Sequence, residues 1–124
     1  MSGLTRENAR STFYVMNTSM TNTREKILAT AEQLIYQNGI QATGMDLLVK
    51  TSGVARKSIY RYFATKDEVA AAALNARDVR WMDWFQSESN KADTPEARIL
   101  NMFDVLKGWF ESEGFRGCAF INTA

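Results

Sequence analysis

The chain has 124 residues, 45% of them apolar, a formal net charge of +1 and no histidine. That is one domain's worth of length, and the missing histidine removes the commonest general base and metal ligand, which argues against an enzyme. The single Cys118 forms no internal disulfide and supplies no zinc-site spacing, so no cofactor or metal is expected.

Residues 1–21 are rich in Ser, Thr, Asn and Arg, and their apolar residues form no sustained face. They read as a flexible N-terminal extension, with Met16 or Met20 as alternative starts. No apolar h-region follows the charges, so they are not a signal peptide. A DNA-touching arm through Arg6 and Arg10 is the sharper reading, and Glu7 between them weighs against it.

Residues 22–38 predict a helix. Asn22 and Glu25 have capping-box spacing, Ile27, Leu28, Ala31, Leu34 and Ile35 repeat at helical intervals, and Asn38-Gly39 is a stop signal. Its apolar face is core. Its first turn, Thr23 and Arg24, offers a phosphate contact.

Residues 43–66 predict two short helices around a tight turn. The first runs roughly over residues 44–51, with Thr43 as its cap and Asp46 as the reciprocal partner. Gly53 can take the left-handed conformation that ends it. The second runs roughly over residues 55–63. Ile59 and Phe63, four apart, pack back on Leu48 and Val54. Arg56, Lys57, Ser58, Tyr60, Arg61 and Tyr62 occupy the other side. Five basic side chains (Lys50, Arg56, Lys57, Arg61 and Lys66) stand against one acid, Asp46, so this stretch carries +4 and the remainder −3. A short helix locked by one face and displaying cations and hydroxyls on the other suits a major-groove reader of double-stranded DNA. A solvated amphipathic hairpin is the blander alternative.

Thr65 and Glu68 form a second capping box. The helix they open runs to about Asn90 through the alanine run 70–73. Residues 86–94 predict a polar loop. Thr94-Pro95 starts another helix, whose Ile99, Phe103, Leu106 and Phe110 make an apolar stripe and which Gly114 ends. Residues 115–124 look like the start of a further helix. Trp81, Trp84, Phe85, Met102, Phe103, Leu106, Phe110, Phe115 and Cys118 are candidates for part of an effector pocket, since pockets are mostly apolar. Plain core is the competing reading of the same stripe. No apolar run nears the ~18 residues of a transmembrane helix, which suits a cytoplasmic protein.

The segment GVARKSIYRYFATKDEV resembles the helix-turn-helix signature of tetracycline-repressor (TetR) family transcription regulators. That signature is Gly-Val-Ser, a variable polar pair, Leu-Tyr-x-His-Phe, a short link and Lys-Glu. The upstream REKILATAEQLIYQNGIQATGMD resembles the family's first helix. The likeness is dense over residues 23–74, and Gly117-Cys118-Ala119-Phe120-Ile121-Asn122 resembles a later segment found in part of the family. It implies an all-α protein. Residues 22–68 would be a three-helix, homeodomain-like DNA-binding head, and residues 69–124 a linker helix and an incomplete helical regulatory domain. It implies a repressor released by a small hydrophobic effector and a homodimer on a near-palindromic operator. Arg56, Lys57 and Tyr60 are the expected base readers. Thr43, Ser58, Arg61, Tyr62 and Lys66 sit where the family's motif meets the backbone. Three residues depart from the pattern: Gly44 lacks the usual hydroxyl, Ala55 the usual serine cap, and Tyr62 replaces the usual histidine. A small-molecule-binding helical module without DNA function is the alternative. The family is usually longer, so the sequence reads as an N-terminal portion.

Overall fold

The computed structural model describes residues 23–123, in which every regular element is a helix. These are α1 (Thr23–Asn38), α2 (Met45–Ser52), α3 (Arg56–Tyr62), α4 (Lys66–Ser89), α5 (Pro95–Phe110) and α6 (Ala119–Thr123). The N-terminal extension, its basic arm and the Asn22 cap lie outside the described residues.

One core joins the first four helices. Ile27, Leu28, Ala31, Leu34 and Ile35 of α1 meet Leu48, Val54, Ile59, Phe63, Val69, Ala70 and Ala73. Each fully buried aliphatic side chain here contributes roughly 1.5–3 kcal/mol relative to exposure. The arrangement follows from the i, i+4 spacing of Ile27, Ala31 and Ile35 and of Ile59 and Phe63, which puts each set on one face.

The caps are mostly as expected, with corrections. Gly53 has φ +70° and its N–H donates to Val49 O, closing α2. Thr43 does not cap α2. The N-cap is Gly44, which makes no side-chain cap bond. The Thr43 hydroxyl instead donates to Gly39 O, 2.9 Å away at the end of α1, because the residue is buried and that carbonyl is open. Asp46 pairs with Arg56, so the reciprocal cap is absent too. At α4, Thr65 accepts from Glu68 N at 3.2 Å as expected, but the Glu68 carboxylate takes the N–H of Ala64 at 2.8 Å, one residue before the cap.

α4 is 24 residues long, about 36 Å at 1.5 Å per residue. Its first half lies in the core and its second half leaves it. Residues 86–89, expected as loop, are its last turn. Asn101 of α5 braces this turn: its amide donates to Ser89 O at 3.3 Å and to Glu88 O at 2.8 Å, where the Lys91 N–H also donates, so the last carbonyls of the helix have partners. Thr94 caps α5 by accepting from Ala97 N at 3.2 Å. α5 stops at Phe110, before Gly114. No residue of α5 is buried, and Ile99 (58%) and Phe103 (67%) stay exposed, so the stripe is not core among the described residues.

Two substitutions test this account. Ile59 is wholly shielded, and Ile59→Ala should cost about 2–5 kcal/mol through lost burial and a cavity. Gly53→Ala should cost about 1–2 kcal/mol, because a Cβ disfavours its left-handed backbone. Urea unfolding monitored by circular dichroism reads both. Midpoints matching the unsubstituted chain would contradict them.

Candidate nucleic-acid interface

The interface is built on α2, the turn at Ser52–Ala55, α3 and the start of α4. Ser52 is buried, and its Oγ accepts from Val54 N at 3.1 Å, which tightens the turn so that Val54 enters the core. α3 then has no rotational choice. With Ile59 and Phe63 buried, Arg56, Lys57, Tyr60, Arg61 and Tyr62 are exposed and Ser58 is half-buried. Tyr60 and Tyr62 stand 46% and 44% exposed, unusual for tyrosines in a helix this well anchored. Arg24 of α1 stacks over the Phe63 ring, 5.2 Å from its centroid, and helps pin the end of α3.

Charge is distributed unevenly here. Arg56 is held by the Asp46 carboxylate across the turn. Among the described residues, the side chains of Lys50, Lys57, Arg61 and Lys66 have no ion-pair or hydrogen-bond partner. Neither do the hydroxyls of Ser58, Tyr60 and Tyr62. Lys66 is the first residue of α4, and α3 has no acid in its first turn, where Arg56 and Lys57 sit. Cations at helix N-termini gain nothing from the backbone dipole. An anion from outside the chain suits this surface better than any group within it. Thr43 stands apart from the other candidates. It is buried, and its O–H is engaged at Gly39, so it lies beneath this surface.

The other group of candidates is brought together in part. Trp81 stacks on Phe85 at 5.0 Å and meets Trp84 and Trp109 edge-on at 6.1 and 5.2 Å. Trp109 contacts Phe110 and Phe115, which also touch each other. Trp109, read in the sequence only as broadening a stripe, is thus the centre of the cluster. Met102, Phe103 and Cys118 are exposed, Leu106 is half-buried, and Phe103 makes no ring contact among the described residues. The Trp81 Nε1 donor is buried without a partner. A recess of about 350 Å³ lies elsewhere, lined by Lys91, Ala92, Ala97, Leu100, Asn101 and Asp104. No described helix is long and apolar enough to cross a membrane.

A residue outside both groups joins α1 to the segment that follows Phe115. Tyr36, near the end of α1, donates its O–H to Gly117 O and accepts from Arg116 N, both at 2.9 Å. The Arg77 guanidinium lies 3.7 Å from the centroid of its ring. Nothing in the sequence marked this tyrosine, since its partners are 80 and 81 residues away.

Residues 27–73 match the model of a family described as bacterial regulatory proteins, tetR family. The chain is 43% identical over 109 residues to the HTH-type transcriptional repressor NemR of Escherichia coli K12, covering 83% of this chain and 53% of that one. It is 32% identical over 73 residues to the HTH-type transcriptional regulator QacR of Staphylococcus aureus, covering 59% and 39%. Among solved structures it is similar to a TetR-family transcriptional regulator from Streptomyces coelicolor. The TM-score is 0.76 at 28% identity, over 82% of this chain and 53% of that one. The chain therefore spans about half the length of these relatives or less. The matched stretch begins in α1 and ends within α4, so it contains the whole two-helix surface and its buttress. The chain belongs to the tetR family of bacterial regulatory proteins.

Proposed function

We propose that this chain carries the operator-reading head of a transcription repressor and part of its effector-sensing body. The observation that supports this best is the row of cations without partners at Lys50, Lys57, Arg61 and Lys66, beside the exposed Tyr60 and Tyr62. α3 enters the major groove of double-stranded DNA. Arg56, Lys57 and Tyr60 reach base edges, and Ser58, Arg61, Tyr62 and Lys66 hold phosphates. A guanidinium on guanine O6/N7 is the commonest specific contact, worth roughly 1–3 kcal/mol of discrimination. Asp46 neutralises Arg56 in the free protein, which lowers its gain from a bare phosphate and favours a base contact instead.

Two variants separate the roles on duplexes selected by the protein from a random pool. Arg56→Ala should flatten preference at one base position and weaken specific binding about 5- to 100-fold. Lys66→Ala should weaken binding on all sequences and reduce the salt slope by about one unit. An Arg56→Ala loss that is equal on selected and scrambled duplexes, or an unchanged slope for Lys66→Ala, would assign the roles differently.

The aromatic cluster supports a small hydrophobic effector. Its Trp81 Nε1, buried and unpartnered, is a donor that a bound acceptor would satisfy. Tryptophan fluorescence should respond saturably to at least one of a panel of hydrophobic cations and neutral aromatics, and that compound should release DNA. Silence across the panel, in fluorescence and in DNA release alike, would favour plain core for these rings.

Two heads are needed to read half-sites about 34–36 Å apart, so the working regulator is a cytoplasmic homodimer on a near-palindromic operator. Sedimentation of the intact regulator with and without its selected duplex should give two chains per duplex. One chain per duplex at saturation would exclude the dimer.

A further inference from the structure

We infer that Tyr36 is a positioning residue that couples the aromatic cluster to the DNA-reading head through its hydroxyl group. The inference rests on the head being a DNA reader, and its first test does not use DNA. The hydroxyl is engaged in both directions on one short segment: it donates to Gly117 O and accepts from Arg116 N. One side of that segment is Phe115, whose ring meets Trp109 at 4.8 Å and Phe110 at 5.3 Å. Its other side is α6, held to the segment by the amide of Asn122 on Arg116 O and packed against α1 at Gly39. Gly117 itself has φ +83°, a conformation that keeps the turn in one shape and that a side chain would disfavour.

The ring of Tyr36 is equally constrained. Arg77 lies over it at 3.7 Å, and Arg77 and Arg80 of α4 both pair with Glu32, one turn earlier on α1. These groups are largely shielded, with Glu32 at 14% and Arg77 at 23% side-chain exposure. The ring therefore moves with α1 and α4, and the hydroxyl moves with residues 116 and 117. A displacement of Phe115 must either carry α1 along or break two hydrogen bonds. α1 buries Ile27, Ala31 and Ile35 against the helices that include α3. Motion at residues 115–117 thus reaches α1 through this side chain, beside the continuous α4 that also joins the cluster to the core. By linkage, DNA held on α3 must in turn alter the environment of the cluster.

Tyr36→Phe removes both hydrogen bonds and keeps the ring under Arg77. Amide exchange followed residue by residue should show the Arg116 N–H exchanging about 3- to 10-fold faster in Tyr36→Phe, the range set by a net hydrogen bond. Phe115→Leu disturbs the cluster from the other side. In the otherwise native chain it should speed exchange at the last turn of α1, including Gly39 N, which donates to Ile35 O. In the Tyr36→Phe background the same substitution should leave that turn unchanged. Equal acceleration in both backgrounds, or none in either, overturns the coupling.

A second measurement carries the coupling to DNA. With 5-fluorotryptophan incorporated, a selected duplex should shift the Trp109 fluorine resonance in the native protein. In Tyr36→Phe the duplex should bind and leave that resonance in place. A shift that survives Tyr36→Phe overturns the proposal. A native protein that shows the exchange coupling and selects no duplex would instead sink the DNA reading on which it depends.

Discussion

Ile27 of α1 and Ile59 of α3 are both wholly shielded from solvent, and they belong to one core. Neither could be buried if α3 were free to rotate about its axis. Seven residues make fewer than two turns, and an isolated helix of that length is unstable in water. α3 exists because its Ile59 and Phe63 are held against α1, with Val54 drawn in by the Ser52 turn. The exposed set, Arg56 to Tyr62, is the complement of that packing. The exposed face of α3 is held in place by apolar packing, and apart from Arg56, which pairs with Asp46, its polar side chains have no partner among the described residues.

That division explains why the cations are where they are. In a structural helix, acids favour the first turn and bases the last. α3 has Arg56 and Lys57 in its first turn, and α4 begins with Lys66. At α4 the acids Asp67 and Glu68 follow at once and offset the cost locally. At α3 only Asp46 answers, from α2. The pair is well exposed, and such a pair contributes about 0–1 kcal/mol. Lys57 is left with nothing. The local rule for helix termini is broken where an external anion would repair it, and it is kept at Thr65 and Thr94, where the caps serve the fold alone.

What was legible in the sequence had local causes. Gly53, Thr65, Thr94 and the Ile59–Phe63 pair each act over four residues or fewer, and each is found in its expected role. What was illegible involved partners distant in the chain. Thr43 has the composition of a cap, but its hydroxyl found the Gly39 carbonyl that the end of α1 leaves open. Residues 86–89 are polar and read as loop, and Asn101 braces them as helix from another element. The α5 stripe has the spacing of a core face, yet spacing names only the face and not its neighbour. Ile99, Leu100 and Phe103 meet no cover among the described residues. Of the base and phosphate candidates, the exposed ones were legible from the helix period, since the same Ile59 that defines the buried side defines theirs. Tyr36 was not, because a tyrosine on an apolar helix face reads as core until its hydroxyl partners are known.

The two faces of α1 are joined to their neighbours by different forces, and the difference has consequences for motion. Toward the reader the contact is aliphatic, close-packed and without direction. Such packing resists small displacements, and losing it costs several kcal/mol per large side chain. Toward the cluster the contact is polar and directional: Glu32 to Arg77 and Arg80, and Tyr36 to residues 116 and 117. Hydrogen bonds and ion pairs exchange one partner for another at a net cost of about 1 kcal/mol each. A junction of that kind has discrete alternatives where a packed core has one. The core that holds α1 and α3 together can therefore shift as a unit against residues 115–117 while its own shape stays fixed, which is the condition under which a change at the aromatic cluster would alter where α3 sits and leave what it displays unchanged.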